Sequence, residues 1–135
     1  MRSGGSMCSR GMIALLLALA SGGGIAQTPD CRRQPQHEAW LQAHAQRWRQ
    51  RLMSQPGYER PEVFSVCHLA QGNPYVDYDR DRIYLRRVNA EEDALSLAHE
   101  YLHLAFKHHP LARDERFIEH TARQLLNPDA VESAL

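Results

Sequence analysis

Several features are scarce in this sequence of 135 residues, and each scarcity excludes a class of structure, partner or metal site. The longest apolar run, residues 12–20, is far shorter than the roughly 20 residues of a membrane-spanning helix. Net charge is absent, with 16 basic and 16 acidic residues, so nothing favours nucleic acid or a membrane surface as a partner. Cysteine is rare as well, and Cys31 and Cys67 lie too far apart for a cysteine-based zinc knuckle.

The beginning of the chain has the composition of a secretory signal peptide. Two arginines are its only charges, the apolar run 12–20 follows, and small residues lead to Ala26. We expect residues 1–26 to be a signal peptide that is cleaved after Ala26 or, as an alternative, after Ala20. Residues 27–135 then form one domain.

Export of the chain has a consequence for its remaining cysteines. A periplasmic or secreted protein lies in an oxidising environment, where an even number of cysteines indicates a disulfide. We therefore predict that Cys31 and Cys67 are paired.

Apolar periodicity divides the rest of the chain into an α+β domain. An apolar stripe predicts an N-terminal helix over residues 36–53. Residues 63–69 are typical of a strand, and residues 75–78 and 83–85 predict a hairpin, which together suggest a small antiparallel sheet. A C-terminal helical hairpin is expected to follow, with Asn89 and Asp114 as the N-caps of its two helices. Pro110 should stop the first of them soon after His108, and Asn127 with the proline after it should end the second.

The first of these C-terminal helices carries the sequence HEYLH at residues 99–103. His99 and His103 are four residues apart, so they project from one helix face and can bind the same zinc ion. Glu100 lies beside the first ligand, where its carboxylate can take a proton from a zinc-activated water. The pattern predicts a Zn²⁺ site with Glu100 as general base.

With these residues the sequence resembles the zincin metallopeptidases of the gluzincin type, over about residues 83–126. It also resembles small secreted bacterial proteins of unassigned function that carry such a helix pair. The resemblance implies that a strand at residues 83–87 lies at the edge of the sheet and binds an extended substrate. It also implies a third zinc ligand, for which His109, His120, Glu115 and Glu119 are the candidates.

Two features bear on this choice of ligand. A metzincin ligand at His109 requires a glycine where Phe106 stands, and no methionine follows Met53 to form the Met-turn of that group. A ligand on the returning helix must lie level with the two histidines, and at a rise of about 1.5 Å per residue that position is Glu119, with Glu115 as the alternative.

The sequence thus predicts an exported zinc-dependent hydrolase that uses zinc-activated water, leaning towards a metallopeptidase that acts on a peptide or protein. The small domain leaves room for a protein partner that completes the cleft. A non-catalytic zinc-stabilised binding or regulatory domain, with a degenerate site, is the alternative. A disulfide-stapled interaction module without metal is the third hypothesis.

Overall fold

The structure, a computed structural model, describes residues 30–86 and 89–127. Helices and a small sheet share one core in this part of the chain, so the predicted α+β class is confirmed. The elements in chain order are α1 (Pro35–Leu52), β1 (Ser65–His68), β2 (Tyr75–Asp77), β3 (Arg82–Leu85), α2 (Ala94–Ala105), a 3-10 helix (Pro110–Arg113) and α3 (Glu115–Leu126).

The three strands form a mixed sheet in the order β1-β3-β2. The predicted hairpin is confirmed, because β2 and β3 pair antiparallel with Val76 opposite Ile83. The expectation of a wholly antiparallel sheet is wrong, since β1 pairs parallel with β3. The loop after β1 carries the chain to the far side of the sheet, and β3 returns into the position between the other two strands. The expectation of an edge strand at residues 83–87 is also wrong, since β3 (Arg82–Leu85) lies between the other two strands.

The hairpin turn achieves its reversal without the usual Asn-Gly pair. The Asp77 carboxylate accepts hydrogen bonds from the backbone N–H groups of Asp79 and Arg80, at 3.1 and 3.2 Å. Asp81 takes a left-handed backbone with φ of 50°, which aspartate tolerates better than most residues. Its carboxylate lies 2.7 Å from Nζ of Lys107, which ties the turn to the segment after α2.

The N-terminal segment is fastened to β1 covalently and by hydrogen bonds. The structure contains the predicted disulfide between Cys31 and Cys67. Backbone bonds from Gln34 to Val66 and from His68 to Arg32, each 2.8 Å long, flank it along the outer side of β1. The disulfide closes a separation of 36 residues, for which the chain-entropy model gives about 3–4 kcal/mol of stabilisation.

The central helix α2 is shorter than the sequence predicts at both ends. Asn89 does accept a bond from the backbone N–H of Glu92 at 2.9 Å, but the turn that it caps, residues 90–93, only precedes the helix, which begins at Ala94. The N-cap is Asp93, whose carboxylate instead contacts the buried His37 at 3.1 Å and so joins α1 to α2. The far end stops at Ala105, because Pro110 favours an extended backbone at the residue before it and the chain unwinds ahead of that point.

The last helix begins and ends where the sequence predicts. The Asp114 carboxylate accepts bonds from the backbone N–H groups of Arg116 and Phe117, both at 3.1 Å, as an N-cap does. The helix ends at Leu126, ahead of the break at Asn127. None of the helices among the described residues has the length and apolarity to cross a membrane.

The core lies around α2, which packs against the sheet and both other helices. Its apolar side chains come from every helix and from the two neighbouring strands β1 and β3. Among the largest fully buried ones are Leu41, Leu52, Ile83, Leu97, Tyr101, Phe106 and Ile118.

Candidate metal centre

The two histidines of α2 lie side by side where that helix meets α3. Their ring centroids are 5.0 Å apart, as expected for residues one helical turn apart on one face. The His99 side chain retains 19% of its exposure and that of His103 retains 10%. Both rings are therefore held by packing, with one side open to solvent.

Glu115, the first residue of α3, faces both rings. Its Oε2 lies 3.0 Å from Nε2 of His99, and its Oε1 lies 3.3 Å from Nε2 of His103. One ligand atom from each of these three residues lies within 4.8 Å of the others, a spacing that can hold a metal ion. The 3-10 helix makes this possible because it turns the chain back to the level of His103 before α3 begins.

Each histidine has an oxygen acceptor on its other ring nitrogen. Nδ1 of His99 lies 2.9 Å from Oε2 of Glu119, and Nδ1 of His103 lies 2.6 Å from the backbone oxygen of Ala112. A carboxylate and a carbonyl oxygen only accept, so both Nδ1 atoms can donate to them. Each Nε2 faces an oxygen of Glu115, which also only accepts, so a metal would have to displace a proton there to bind the Nε2 lone pair, as in carboxylate–histidine–zinc arrangements.

Glu119, which the sequence favours as the third ligand, lies on the outer side of His99. It is one helical turn beyond Glu115 and meets Nδ1, not Nε2. Its second oxygen accepts a bond from Arg123 at 2.7 Å. The hydrogen bond from His99 lowers the pKa of Glu119 below its usual range, with a smaller contribution from Arg123. The geometry therefore favours Glu115, the alternative of the sequence analysis, as the third ligand, with Glu119 orienting His99.

Glu100 is buried beside this cluster and retains 7% of its exposure. Burial raises the pKa of its carboxyl to about 7, an effect that His99 opposes and that the carboxylate of Glu115 reinforces. Burial likewise lowers the pKa of His103, which keeps that imidazole in the neutral form that a metal requires.

The other two histidine candidates lie away from the cluster. His109 is the N-cap of the 3-10 helix, where its Nδ1 accepts a bond from the backbone N–H of Leu111 at 3.2 Å. Its ring also packs against Gly57. His120 is exposed on α3 and belongs to none of the described groups of metal-ligating atoms.

Tyr78 is a residue of the site that the sequence analysis did not identify. Its hydroxyl lies 3.2 Å from Nδ1 of His103, and the Arg113 guanidinium lies 5.6 Å from the centre of its ring. Tyr78 follows the last residue of β2, and its only signal in the sequence is an aromatic residue at the start of a turn. The sequence therefore does not indicate that this residue belongs to a site, and only the structure shows that it contacts α2.

A family described as "Predicted secreted protein (DUF2300)" matches residues 15–111 of the chain. The chain belongs to this family. The DUF2300 match includes His99, Glu100 and His103 and ends before Glu115. The family description confirms the expectation of an exported protein, whereas the signal peptide and both cleavage positions lie outside the described residues.

A DUF2300 relative comes from Escherichia coli (strain K12), the uncharacterized protein YfaQ. It is 44% identical over 96 residues, which are 71% of this chain and 18% of YfaQ. The chain thus spans less than a fifth of that relative's length. No solved structure matches the chain.

These findings correct the resemblance to the zincin metallopeptidases. The matching DUF2300 family is described without an enzymatic activity, and no zincin or metallopeptidase family matches. The fold agrees with the correction, because the strand that the resemblance placed at the edge of the sheet lies at its centre. A five-residue motif with two unrestricted positions is too short to establish a family.

Proposed function

We propose that this protein binds a zinc ion through His99, His103 and Glu115 and hydrolyses amide bonds in peptides. One observation carries the proposal. Both imidazole Nε2 atoms lie within 3.3 Å of the Glu115 carboxylate, while both Nδ1 atoms contact oxygen acceptors. This arrangement resembles a prepared metal site more than a chance ion pair, because the acceptors on Nδ1 orient both rings so that their Nε2 atoms converge on one carboxylate.

The donor set fits zinc better than the other common divalent ions. Two imidazole nitrogens and one carboxylate oxygen suit zinc, whereas calcium and magnesium prefer oxygen ligands alone. Three protein ligands would leave the ion free to bind water or substrate as well, as in catalytic zinc sites. The two remaining cysteines are joined in the disulfide and offer no thiolate.

The reaction divides between the ion and the protein. A bound zinc ion lowers the pKa of a water ligand to about 7 and polarises the carbonyl of a substrate. Glu100 takes the proton of the attacking water at its carboxylate and delivers it to the leaving nitrogen. Glu119 and Ala112 keep the two imidazoles in their ligand orientation, and Tyr78 supports that of His103.

The substrate is proposed to be a peptide or protein because the site is open. Glu115 keeps 66% of its side-chain exposure, and the adjacent depression lies on the surface of α3. An extended chain fits such a site better than an enclosed small molecule does. The same openness allows a protein partner to complete the cleft.

Metal binding is the first test of this function. Mature protein freed of metal by a chelator is expected to take up one zinc ion per chain, measured by competition with a chromophoric chelator. His99→Ala and His103→Ala should abolish this uptake, while His44→Ala, on α1 away from the site, should not. Failure of the wild-type protein to bind zinc stoichiometrically would contradict the metal site and favour the disulfide-stapled interaction module.

Hydrolysis is the second test. The zinc-loaded protein is incubated with a mixed peptide library, and products are identified by mass spectrometry. Glu100→Gln should keep zinc and lose cleavage, because glutamine has the same shape and cannot take the proton.

The alternative, a non-catalytic zinc-stabilised binding or regulatory domain, also has structural support. The depression beside the site is shallow, and the described domain has no second lobe to enclose a substrate. A wild-type protein that binds zinc and cleaves no library member would establish this alternative over the hydrolase.

A further inference from the structure

One face of α3 forms a depression beside the candidate metal centre. The depression has a volume of about 590 Å³. Its lining comes from His99 of α2 and from five residues of α3, which are Glu115, Arg116, Glu119, His120 and Arg123. A ligand on the metal would therefore extend over two arginines.

The charges of this lining leave the metal uncompensated. Arg116 and Arg123 balance the two glutamates of the depression, and both imidazole ligands are neutral when they bind a metal. Glu100, beside the metal, offsets at most one of the two charges that a divalent cation adds, so the site keeps a net positive charge. An anionic group on the ligand is the natural complement.

Both arginines have hydrogen-bond donors to offer. Arg123 uses Nη2 for its bond to Glu119, and no bond among residues 30–86 and 89–127 involves its Nη1 or Nε. The guanidinium of Arg116 has no hydrogen bond or ion pair within the same ranges, and its side chain is exposed. A guanidinium matches the planar geometry of a carboxylate and can bind it through two parallel bonds.

We propose that Arg116 and Arg123 bind a carboxylate of the substrate next to the scissile amide, so that the site selects peptides by a negative charge on the leaving side. The inference rests on the proposed function and names the substrate class of the same site. The carboxylate is either the free C-terminus, which makes the protein a carboxypeptidase, or an acidic side chain.

The reaction balances without any further reactant. The oxygen of water bonds to the amide carbonyl carbon, and the carbon–nitrogen bond breaks. One product ends in a new carboxyl group, and the leaving amine, which carries the bound carboxylate, receives the first proton of the water by way of Glu100. The second proton leaves the new carboxyl group as it ionises and makes the amine an ammonium.

Binding tests the inference without relying on turnover. Calorimetric titrations use zinc-loaded Glu100→Gln with three N-acetylated peptides that share one sequence up to the last residue, which is neutral in the first two. The first has a free C-terminus, the second a C-terminal amide, and the third an amide with glutamate as its last residue. The acid is expected to bind about tenfold more tightly than the neutral amide, the effect of one charged hydrogen-bonding contact at a partly exposed site. The third peptide shows whether an acidic side chain can replace the terminal carboxylate.

Variants locate the contact. Arg116→Gln and Arg123→Gln should each reduce the preference for the acid, and Arg116→Gln is the cleaner test because Arg123 also contacts Glu119. Arg49→Gln is the matched control, since Arg49 is an exposed arginine of α1 away from the site. It should leave the preference unchanged.

The outcomes separate this inference from the proposed function. Equal affinity for acid and amide, no measurable binding of either peptide, or a preference that survives in both α3 variants overturns the carboxylate site. A protein that binds no zinc overturns the metal site instead, and the same titrations on that protein still report whether the arginines select a carboxylate.

Discussion

Glu115 and Glu119 show how one helical turn changes the role of a side chain. Glu115 faces the Nε2 atoms of both histidines, and Glu119 faces Nδ1 of His99 alone. In the proposed zinc site, the first position is that of a ligand and the second is that of a group that orients a ligand.

We expect Glu115→Ala to weaken zinc binding more than Glu119→Ala does. Loss of a partner that orients a ligand costs about 10–100-fold in metal affinity, and loss of a ligand atom should cost more. Zinc dissociation constants from chelator competition provide the measurement. Glu62→Ala, at an exposed carboxylate outside the site, is the control. A larger loss in Glu119→Ala would restore Glu119 as the third ligand.

The sequence identified the right helices and missed the level at which they meet. The prediction of Glu119 requires that α2 continues to His108 and that the first turns of α3 bring the chain back to the level of the histidines. Instead α2 ends at Ala105 and the 3-10 helix makes this return, so that α3 begins at that level, with Glu115 as its first residue. His99, His103 and Glu100 needed only the helical repeat, whereas the third ligand depended on the end of a helix, the least predictable feature of a sequence.

At Gly57 a single missing side chain makes room for a residue of the loop after α2. Gly57 has φ of 87°, and a Cβ added to it would lie 2.3 Å from Cγ of His109. Gly72 has a similar φ of 93° but open space around its added Cβ. A substitution at either glycine strains the backbone, but only a substitution at Gly57 also causes steric overlap. Comparing the two positions therefore distinguishes the two effects.

Gly57→Ala is expected to destabilise the fold more than Gly72→Ala. Both variants incur the left-handed backbone cost of about 1–2 kcal/mol. Only Gly57→Ala adds overlap with the His109 ring, for which about 1–3 kcal/mol is typical. Urea unfolding followed by circular dichroism gives both values. Equal losses would mean that His109 moves aside freely.

On the scale of elements, α3 matters because its first residue is the proposed ligand. Its N-cap, Asp114, directly precedes Glu115 and binds two backbone N–H groups of the first turn. Fraying of that turn would release Glu115 from the histidines. Helix stability and metal affinity should therefore be coupled at this position.

Asp114→Ala is predicted to reduce stability by about 1 kcal/mol through the lost cap and to weaken zinc binding as well. Asp114→Asn is the matched control, because asparagine caps a helix as well as aspartate does and should preserve both properties. Thermal unfolding and zinc titration of the same preparations test the coupling. Zinc affinity unchanged in Asp114→Ala would show that Glu115 is held by its own contacts.

Some elements of the fold can be predicted from the sequence, and others cannot. Helix α1, the hairpin and the start of α3 follow from local signals, namely an apolar stripe, two short β-rich runs and an N-cap aspartate. The parallel pairing of β1 with β3 has no local signal, because it depends on the path of the loop across the sheet. The start of α2 also differs from the prediction: its N-cap is Asp93 and not Asn89, and Asp93 contacts His37, which is far away in sequence.

For the molecule as a whole, the DUF2300 match and the folded unit do not coincide. The match ends at residue 111, whereas α3 extends to Leu126 and supplies part of the core. Ile118, Ala122 and Leu125 are buried against the rest of the domain, and α2 is the main neighbour of their helix. The structure therefore assigns α3 to the same cooperative unit as the matched residues.

This assignment predicts that a mature chain ending at Asp114 will not fold. Without Ile118 and Leu125 alone, the chain loses about 3–6 kcal/mol of stabilisation from buried apolar surface. This is a large share of the free energy of unfolding of a domain of this size. A chain ending at Asn127 is the control, since it retains every described core residue and should unfold cooperatively on heating. Circular dichroism and zinc titration of both chains provide the comparison. A cooperative transition in the shorter chain near that of the longer one would make α3 an appended element, and the metal centre would then lie between two separable parts of the molecule.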